Sequence, residues 1–406
     1  MIIRKMRHIV LLVLVTAVSV QGATVTLTFH QHATQNLFQT SDAVAEQISA
    51  FSLAFNQDIS SLSLFANVGY SAFHQTGGLS YFAADLGLDH LVPAGAKSAF
   101  YFAAEGAGAF YGQEYEAFST LGGSLTGVFK TYLAPSSILR VQWQGMYASY
   151  ADSLFDFLSH AALLSIDKYF PTQTTLKADA EYGYKYFLHP FVPETADPLP
   201  EGGAVVMGAG GGGAGSWGSG AGWGGQRYEG GNGFIPRAGE GGAGIGHVSA
   251  SVLAAQGIGD VVGLSASAMR QWIVSGENPF MSIEEFYLVP NPSSDAFSWD
   301  GHQLTGRITL DLPWSVEIKA GYTYSDKTYP GVESMGLDGL PLGIIRNDVR
   351  HLFEARLEKS FRFFSVFLAY SHIDNASTDP LFNWSSGYVM GGFQWNLPAR
   401  RKGGLS

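Results

Sequence analysis

The sequence predicts an all-β chain that forms a transmembrane antiparallel up-and-down β-barrel of about 16 strands, with 14 strands as the alternative count. Three observations predict this fold. Apolar and polar side chains alternate along most of the chain after residue 23, the alternating segments are unusually long, and tight and long connections follow each other in turn.

The alternation has a period of two residues, which is the period of a β-strand. In the segment 176–186, one face carries only Leu, Ala and Tyr, and the other carries only Lys, Asp, Glu and Gly. The segments 304–311, 316–325 and 353–358 show the same division. In a similar segment, Phe65 is the one large apolar residue on the polar face. One face is therefore suited to hydrocarbon and the other to water.

The alternating segments run for about 10 to 16 residues, whereas strands of soluble sheets usually have 5 or 6. A tilted strand needs about 9 to 11 residues to cross a membrane. In lipid, a closed barrel pairs every backbone polar group. The predicted strands are 24–33, 46–56, 60–73, 78–90, 97–110, 115–131, 137–150, 153–168, 174–188, 246–257, 260–274, 299–311, 314–327, 348–359, 362–375 and 383–397.

The connections fall into two classes that alternate along the chain. The tight connections lie at 57–58, 93–95, 135–136, 171–172, 257–259, 313 and 362. The long ones are 34–45, 189–245, 275–298, 328–347 and 376–382. Membrane barrels have short turns at one end and longer loops at the other. A soluble sandwich or propeller is disfavoured by this pattern and by the lack of a blade-like repeat.

The composition excludes several classes of protein. Charged residues make up 14% of the chain, against roughly 25% in soluble domains. This low fraction argues against a disordered or fibrous chain and, less strongly, against an ordinary cytosolic enzyme. The net charge of −11 disfavours a nucleic-acid partner, because binding to nucleic acid requires a basic face. The absence of cysteine excludes a disulfide framework and a thiolate metal site.

The N-terminus has the features of an export signal. Arg4, Lys5 and Arg7 precede an apolar run, 9–20, which is too short to span a bilayer. Small residues follow, so we expect residues 1–22 to be a signal peptide and residues 23–397 to be the barrel. A buried N-terminal helix is the alternative.

The last predicted strand contains a short motif. Gly392, Trp395 and Leu397 match the glycine-x-x-aromatic-x-hydrophobic signal for barrel assembly, and with it the chain resembles the outer-membrane β-barrel proteins of Gram-negative bacteria, of the porin-like channel class. The resemblance implies contact with outer-membrane lipid, lipopolysaccharide and the barrel-assembly machinery. It also implies periplasmic termini and extracellular long loops. The chain departs from the pattern in a basic tail, 398–406, which we expect to be periplasmic.

General porins, which the chain resembles in size, fold a long third outer loop into the pore. Here the third outer loop is expected near 112–114 and is very short. A porin-type constriction at that place is therefore not expected.

Charged residues of both signs lie on the polar face, and in a water-filled interior they would set the electric field along the solute path. Alternatively, they pair across neighbouring strands and stiffen the wall. Pairing is the favoured interpretation for the predicted strands 299–311, 314–327 and 348–359. The candidates are Asp85, Glu105, Lys130, Arg140, Lys177, Asp179, Glu181, Lys185, Arg307, Glu317, Lys319, Glu354, Arg356 and Glu358.

The long loops are rich in acidic residues. An acidic rim attracts cations and repels anions, so an open pore would have a modest cation preference. Alternatively, these loops are simply solvated, or they bind the divalent ions that bridge lipopolysaccharide. The candidates are Glu277, Glu284, Glu285, Asp295, Glu333 and Asp338, with Asp326, Asp374 and Asp379 in addition.

The segment 201–246 holds 21 of the 51 glycines. Such a composition is typical of a flexible coil, and the segment lacks the Gly-Lys-Ser/Thr of a phosphate-binding loop. Two interpretations stay open: a mobile surface loop, or a lid or partial plug over the pore mouth.

Histidines offer weak candidates for metal binding or catalysis. His30 and His32 share a strand face, but no third ligand is indicated. The pairs His372 with Asp374 and His302 with Asp300 lie in no recognisable catalytic motif. We therefore expect no cofactor, no metal and no enzymatic activity. The sequence favours a passive or gated channel for small hydrophilic solutes. The alternative is a surface receptor, adhesin or structural barrel with a blocked interior, whose long loops bind partners.

Overall fold

A computed structural model describes residues 23–151, 156–189, 244–276, 297, 299–338 and 340–397. Sixteen β-strands form one closed sheet in which each strand pairs antiparallel with the next and β16 pairs with β1. This confirms the predicted fold class and strand number. The strands are β1 (Ala23–Thr34), β2 (Glu46–Ile59), β3 (Leu62–Phe73), β4 (Tyr81–Pro93), β5 (Ser98–Tyr111), β6 (Thr120–Ala134), β7 (Ser137–Tyr150), β8 (Phe157–Tyr169), β9 (Thr174–Phe187), β10 (Gly244–Ile258), β11 (Val262–Ser275), β12 (Asp300–Leu312), β13 (Val316–Met335), β14 (Pro341–Ser360), β15 (Phe364–Ser377) and β16 (Trp384–Leu397).

The two faces of the sheet differ as the alternation predicts. The outer face carries large exposed apolar side chains, among them Leu86 (68% exposed), Leu121 (62%) and Val252 (59%). Polar and charged side chains alternate with them on the inner face. An apolar outer band is what acyl chains cover in a membrane barrel. Among the described residues, no helix has the length and hydropathy needed to cross a membrane.

Short turns join the strands at one end of the barrel, here called the tight-turn end. The turn between β12 and β13 has two consecutive residues with positive φ, Trp314 (65°) and Ser315 (57°). The loop between the paired residues Leu312 and Val316 has three residues, 313–315, which is a common length for a hairpin connection. The opposite end is called the long-loop end.

The connection between β13 and β14 differs from the expectation. A long loop at 328–347 was predicted, but the strands continue through most of it, to Met335 and from Pro341. The pairing register shifts between Thr328 and Glu333, and Gly331 has a φ of 81°. Pro330 and Gly331 lie in this irregularity of the ladder.

The third long-end loop is also longer than expected. The predicted sixth strand begins at 115, but residues Gln113–Phe118 form a 3-10 helix and β6 begins at Thr120. Tyr115 of this helix is buried. The expected shortness of this loop was therefore wrong.

The seam between β1 and β16 closes the barrel, and Gly392 lies in it opposite His30. A Cβ atom at Gly392 would lie 2.5 Å from the Phe29 carbonyl oxygen, 2.7 Å from the His30 Cβ and 2.8 Å from the Phe367 Cζ. The side chains of His30 and Phe367, both inside the barrel, cover this glycine. Gly392, predicted as part of the assembly signal, therefore also has a packing reason to be glycine.

We predict that Gly392→Ala lowers barrel stability by about 1–3 kcal/mol, the usual cost of overpacking. The temperature at which the folded barrel loses its gel mobility shift measures this effect. Gly391→Ala is the matched control, because a Cβ there would meet its neighbours only at 3.8 and 3.9 Å. Equal stability of the two variants would contradict the packing argument.

Candidate functional site in the barrel interior and at the long-loop end

Three loops fold inward at the long-loop end and pack on the inner face of β2 to β5. Loop 35–45, the turn Gly77–Leu79 and the helix Gln113–Phe118 each contribute buried apolar side chains. Together they narrow one side of the mouth. This apolar cluster consists of Leu37, Phe38, Ile48, Phe73, Leu79, Tyr81, Ala109 and Tyr115.

Glu46, the first residue of β2, anchors this side of the mouth. Its carboxylate accepts hydrogen bonds from the backbone N–H groups of Gln47 (2.8 Å), His74 (3.0 Å), Gln75 (3.0 Å) and Thr76 (2.8 Å), and from the Thr76 hydroxyl (2.6 Å). Burial works to raise the pKa of the Glu46 carboxyl, but the bonds from Thr76, Gln75 and Gln47 outweigh it and hold that pKa below its usual range.

We predict that Glu46→Gln destabilises this side of the mouth by about 1–3 kcal/mol, since it leaves buried donors poorly satisfied. The stabilisation by the ionised carboxyl is complete above about pH 4.3, the ordinary pKa of glutamate. It is lost as the pH falls through the lower pKa of the folded state.

Limited proteolysis of loop 35–45 at neutral and acidic pH measures this change. Glu116→Gln, at an exposed position on the neighbouring 3-10 helix, is the control. Protection of the loop that is independent of both pH and Glu46 would refute the prediction.

An ion pair anchors a neighbouring part of the mouth, where the Ser41 N–H of loop 35–45 donates to the Leu381 carbonyl oxygen at 2.9 Å. The Arg346 guanidinium donates to both Asp348 carboxylate oxygens, at 3.0 and 2.6 Å, and lies 3.4 Å from the Phe382 ring centroid and 4.5 Å from that of Tyr329. The Ser377 hydroxyl also donates to Asp348. Burial tends to raise the pKa of Asp348, but Arg346 holds it below its usual value. The β13–β14 hairpin is thereby fixed to the loop 378–383.

The predicted acidic rim is only partly a rim of free charges. Asp379 accepts from the backbone N–H groups of Met335 and Leu381, both at 3.0 Å, and is buried. Asp326 accepts from the Asn347 amide at 2.8 Å. Asp338 accepts from a backbone N–H near the hairpin tip, and Glu333 pairs with Ile345 in the ladder. The candidates Glu277, Glu284, Glu285 and Asp295 lie outside the described residues, as do most of segment 201–246, the signal region 1–22 and the tail 398–406.

The interior candidates on the strands all lie on the face opposite the exposed apolar side chains. Most of their ion pairs join residues two apart on one strand. These pairs are Lys177 with Asp179 (2.9 Å), Lys319 with Glu317 (2.6 Å) and Arg356 with Glu358 (2.7 Å). The pairing expected across β13 and β14 therefore runs along each strand instead. Arg140 pairs across strands, with Asp167 at 3.8 Å.

Lys185 is fully buried near the long-loop end of β9. Its ammonium lies 4.0 Å from the Phe157 ring centroid and 5.2 Å from that of Phe187. Earlier on the same strand, Glu181 and Gly183 contact His247, whose Nε2 is 3.1 Å from the Glu181 carboxylate. Lys185 therefore contributes to packing through cation–π contacts, whereas Lys130, which lies opposite Arg140, is partly exposed on the inner face.

Asp85 and Glu105 belong to an acidic part of the inner face on β4 and β5. Asp85 accepts from the Asn67 amide at 3.2 Å. Glu105 lies directly opposite Gly87, and the Phe65 ring covers that glycine. Phe65, the one large apolar residue on the polar face of its segment, thus packs against other residues inside the barrel.

The register brings interior residues of β12, β13 and β14 into three layers. Nearest the tight-turn end, one layer contains Asp311, Glu317 and Glu358, the next Thr309, Lys319 and Arg356, and the third Arg307, Gly321 and Glu354. A Cβ at Gly321 would lie 3.3 Å from the Arg307 Cγ and 3.8 Å from the Glu354 Oε2, so both side chains reach over this glycine.

Sequence analysis missed two residues of this region, Asp311 and Phe367. Asp311 lay on the polar face of its segment, and the alternation alone gives that signal. Phe367 lies with its ring centroid 4.2 Å from the Arg356 guanidinium. No signal in the sequence separates Phe367 from the many other phenylalanines, because the contact depends on strand register.

The histidine candidates His30, His32, His302 and His372 all lie on strands of the barrel. No group of three or more His, Cys, Asp or Glu residues in the described part of the chain is arranged to hold a metal ion. His372 contacts Asp374 at 3.2 Å, and both are well exposed. Asp300 pairs with Arg270 at 2.6 Å. The rings of His30 and His32 contact each other edge to face, with centroids 4.7 Å apart.

Comparisons with known proteins find similar solved structures. No protein-family model matches the chain, and no curated protein matches it at a significant level. The fold is a closed antiparallel β-barrel of 16 strands. Solved structures similar to it include OccAB1 of Acinetobacter baumannii (8% identity, 92% of this chain and 97% of that one, TM-score 0.48) and OccK5 (OpdH) of Pseudomonas aeruginosa (11%, 93% and 98%, 0.45).

A third similar structure is the loop L8 deletion mutant of OmpT, an outer membrane protein of Vibrio cholerae (14% identity, 93% of this chain and 100% of that one, TM-score 0.41). At these identities and scores, the likeness concerns architecture only.

Proposed function

We propose that the chain is an outer-membrane channel, passive or gated, for small hydrophilic solutes. The observation that carries this proposal is the closed 16-strand sheet with an apolar outer face and a charged inner face. A barrel of this strand number, with strands about 4.8 Å apart and tilted by about 40°, is roughly 30 Å across. Such a width leaves an aqueous channel unless other segments fill it.

The proposed topology follows from the two kinds of connection. The tight-turn end and both termini face the periplasm, and the long loops face outward. Residues 1–22 are removed on export, and Gly392, Trp395 and Leu397 engage the barrel-assembly machinery. Lipid and lipopolysaccharide cover the apolar band. N-terminal sequencing of protein from the outer-membrane fraction tests the export step, with a mature chain that begins near Ala23 as the expected result.

The loops of the long-loop end support selection by size. The apolar cluster narrows the mouth beside β2 to β5, and the Arg346–Asp348 pair holds the β13–β14 hairpin against the loop 378–383. The same packed loops favour the second candidate function, a surface receptor or adhesin with a blocked interior. Planar-bilayer conductance separates the two, because a blocked barrel gives no ion current.

We predict single-channel conductance with a modest cation preference, because the acidic residues of the mouth concentrate cations. The sign of the reversal potential under a salt gradient measures it. The change Asp338→Asn, near the tip of the β13–β14 hairpin, should weaken the preference. Asp374→Asn, a like change of charge on the outer face, should not. An anion preference of the unchanged protein would refute the proposed selectivity.

A further inference from the structure

Four interior charges of β13 and β14, here called the charge quartet, have an unusual arrangement. The quartet consists of Glu317, Lys319, Arg356 and Glu358. In the strand register Lys319 lies directly opposite Arg356, and Glu317 lies directly opposite Glu358. Each cation pairs with the acid on its own strand, at 2.6 and 2.7 Å. The quartet is therefore two ion pairs side by side that point in the same direction.

Like charges directly opposite each other on neighbouring strands are destabilising. The third strand adds to the imbalance, because Asp311 of β12 lies opposite Glu317. Three carboxylates thus form a row across the wall, and two cations form the next row toward the long-loop end. Exchanging the two charges of one strand would place opposite charges across β13 and β14 and remove the repulsion.

The inner face of the same barrel also contains the opposite arrangement. Lys177 and Asp179 on β9 form an ion pair of the same kind, at 2.9 Å. Lys177 lies directly opposite Asp167 of β8, so an attractive pair spans the two strands. A pairing along the strand therefore does not require like charges to face each other.

The quartet is accessible from the interior. The side chains of Lys319 and Glu317 are 43% and 34% exposed, and those of Arg356 and Glu358 are 20% and 27% exposed. Exposed ion pairs contribute little to stability, so a solute can compete for them. Phe367 packs against the Arg356 guanidinium and holds one of the two pairs in place.

We propose that the charge quartet, with Asp311, is a binding site for zwitterionic solutes of the α-amino acid type. The solute carboxylate lies toward Lys319 and Arg356, and its ammonium group lies toward the acidic row. The solute dipole then opposes the two parallel dipoles of the wall, and each contact is a charge-assisted hydrogen bond. This inference rests on the proposed channel function, because the solute must enter the barrel.

Tracer uptake into proteoliposomes that contain the purified, refolded protein tests the proposal. The probes are alanine, which is a zwitterion, and lactamide, which is uncharged and of similar size. We expect low-concentration alanine uptake to exceed lactamide uptake by about tenfold, which corresponds to 1.4 kcal/mol of extra interaction. Alanine uptake should saturate, and lactamide uptake should rise linearly with concentration.

The decisive variant combines Glu317→Lys with Lys319→Glu, which keeps the net charge and composition and places opposite charges across the strand pair. It should fold at least as stably as the wild type and lose the alanine preference. The control combines Lys177→Gln with Asp179→Asn, which removes an ion pair of the same kind elsewhere on the inner face, and it should keep that preference. The heat-dependent gel shift shows which variants have folded. If the first variant does not fold, Lys319→Gln with Glu317→Gln takes its place.

Equal uptake of alanine and lactamide by the wild type would overturn the binding site while the channel proposal stands. An alanine preference that survives the Glu317 and Lys319 exchange would also overturn it. If neither probe nor sodium ions enter the vesicles, the channel function itself fails. The three outcomes are distinguishable in a single set of vesicles.

Discussion

The structure depends on the closure of a single hydrogen-bonded sheet. In hydrocarbon, an unpaired backbone N–H or C=O group costs several kcal/mol, so an open edge is not tolerated. The pairing of β1 with β16, from Val25 opposite Leu397 to Thr34 opposite Tyr388, removes the last edge. Closure also fixes the faces, because a slip of one residue would turn every apolar side chain inward. The apolar outer wall and the charged interior are therefore two results of one register.

The loops at the long-loop end have no sheet partner, so other contacts must hold them in place. At two neighbouring places in the mouth, a buried carboxylate accepts hydrogen bonds from several segments. Glu46 accepts four backbone N–H groups and a hydroxyl, and Asp348 accepts from Arg346 and Ser377. Because such bonds involve a charged acceptor, they are stronger than neutral ones. The loops are thus ordered by a few charged groups together with the apolar cluster.

The alternation of apolar and polar residues predicts those features of the fold that depend on residues close together in the chain. Alternation placed all sixteen strands, because an apolar outer face leaves its period in the sequence. It did not place the start of β6, since a 3-10 helix bearing the buried Tyr115 carries apolar residues as a strand does. It also ended β13 too early, at 327, because the strand continues to Met335 through an irregularity of the ladder. The partners of the interior charges could not be predicted, because the sequence does not show which residue lies opposite Lys319.

The strand register therefore decides which interior charges face each other, and this arrangement matters most for transport. Alternation assigns Glu317, Lys319, Arg356 and Glu358 to one face and leaves two arrangements open, with opposite or with like charges facing each other. A shift of β14 by two residues against β13 would keep every side chain on its face and replace repulsion by attraction. The pairing of Gly321 with both Arg307 and Glu354 resists such a shift, because this glycine makes room for two long side chains at once. The packing at Gly321 thus helps to hold the charge quartet in its unfavourable order, and a solute of opposite dipole would offset that cost.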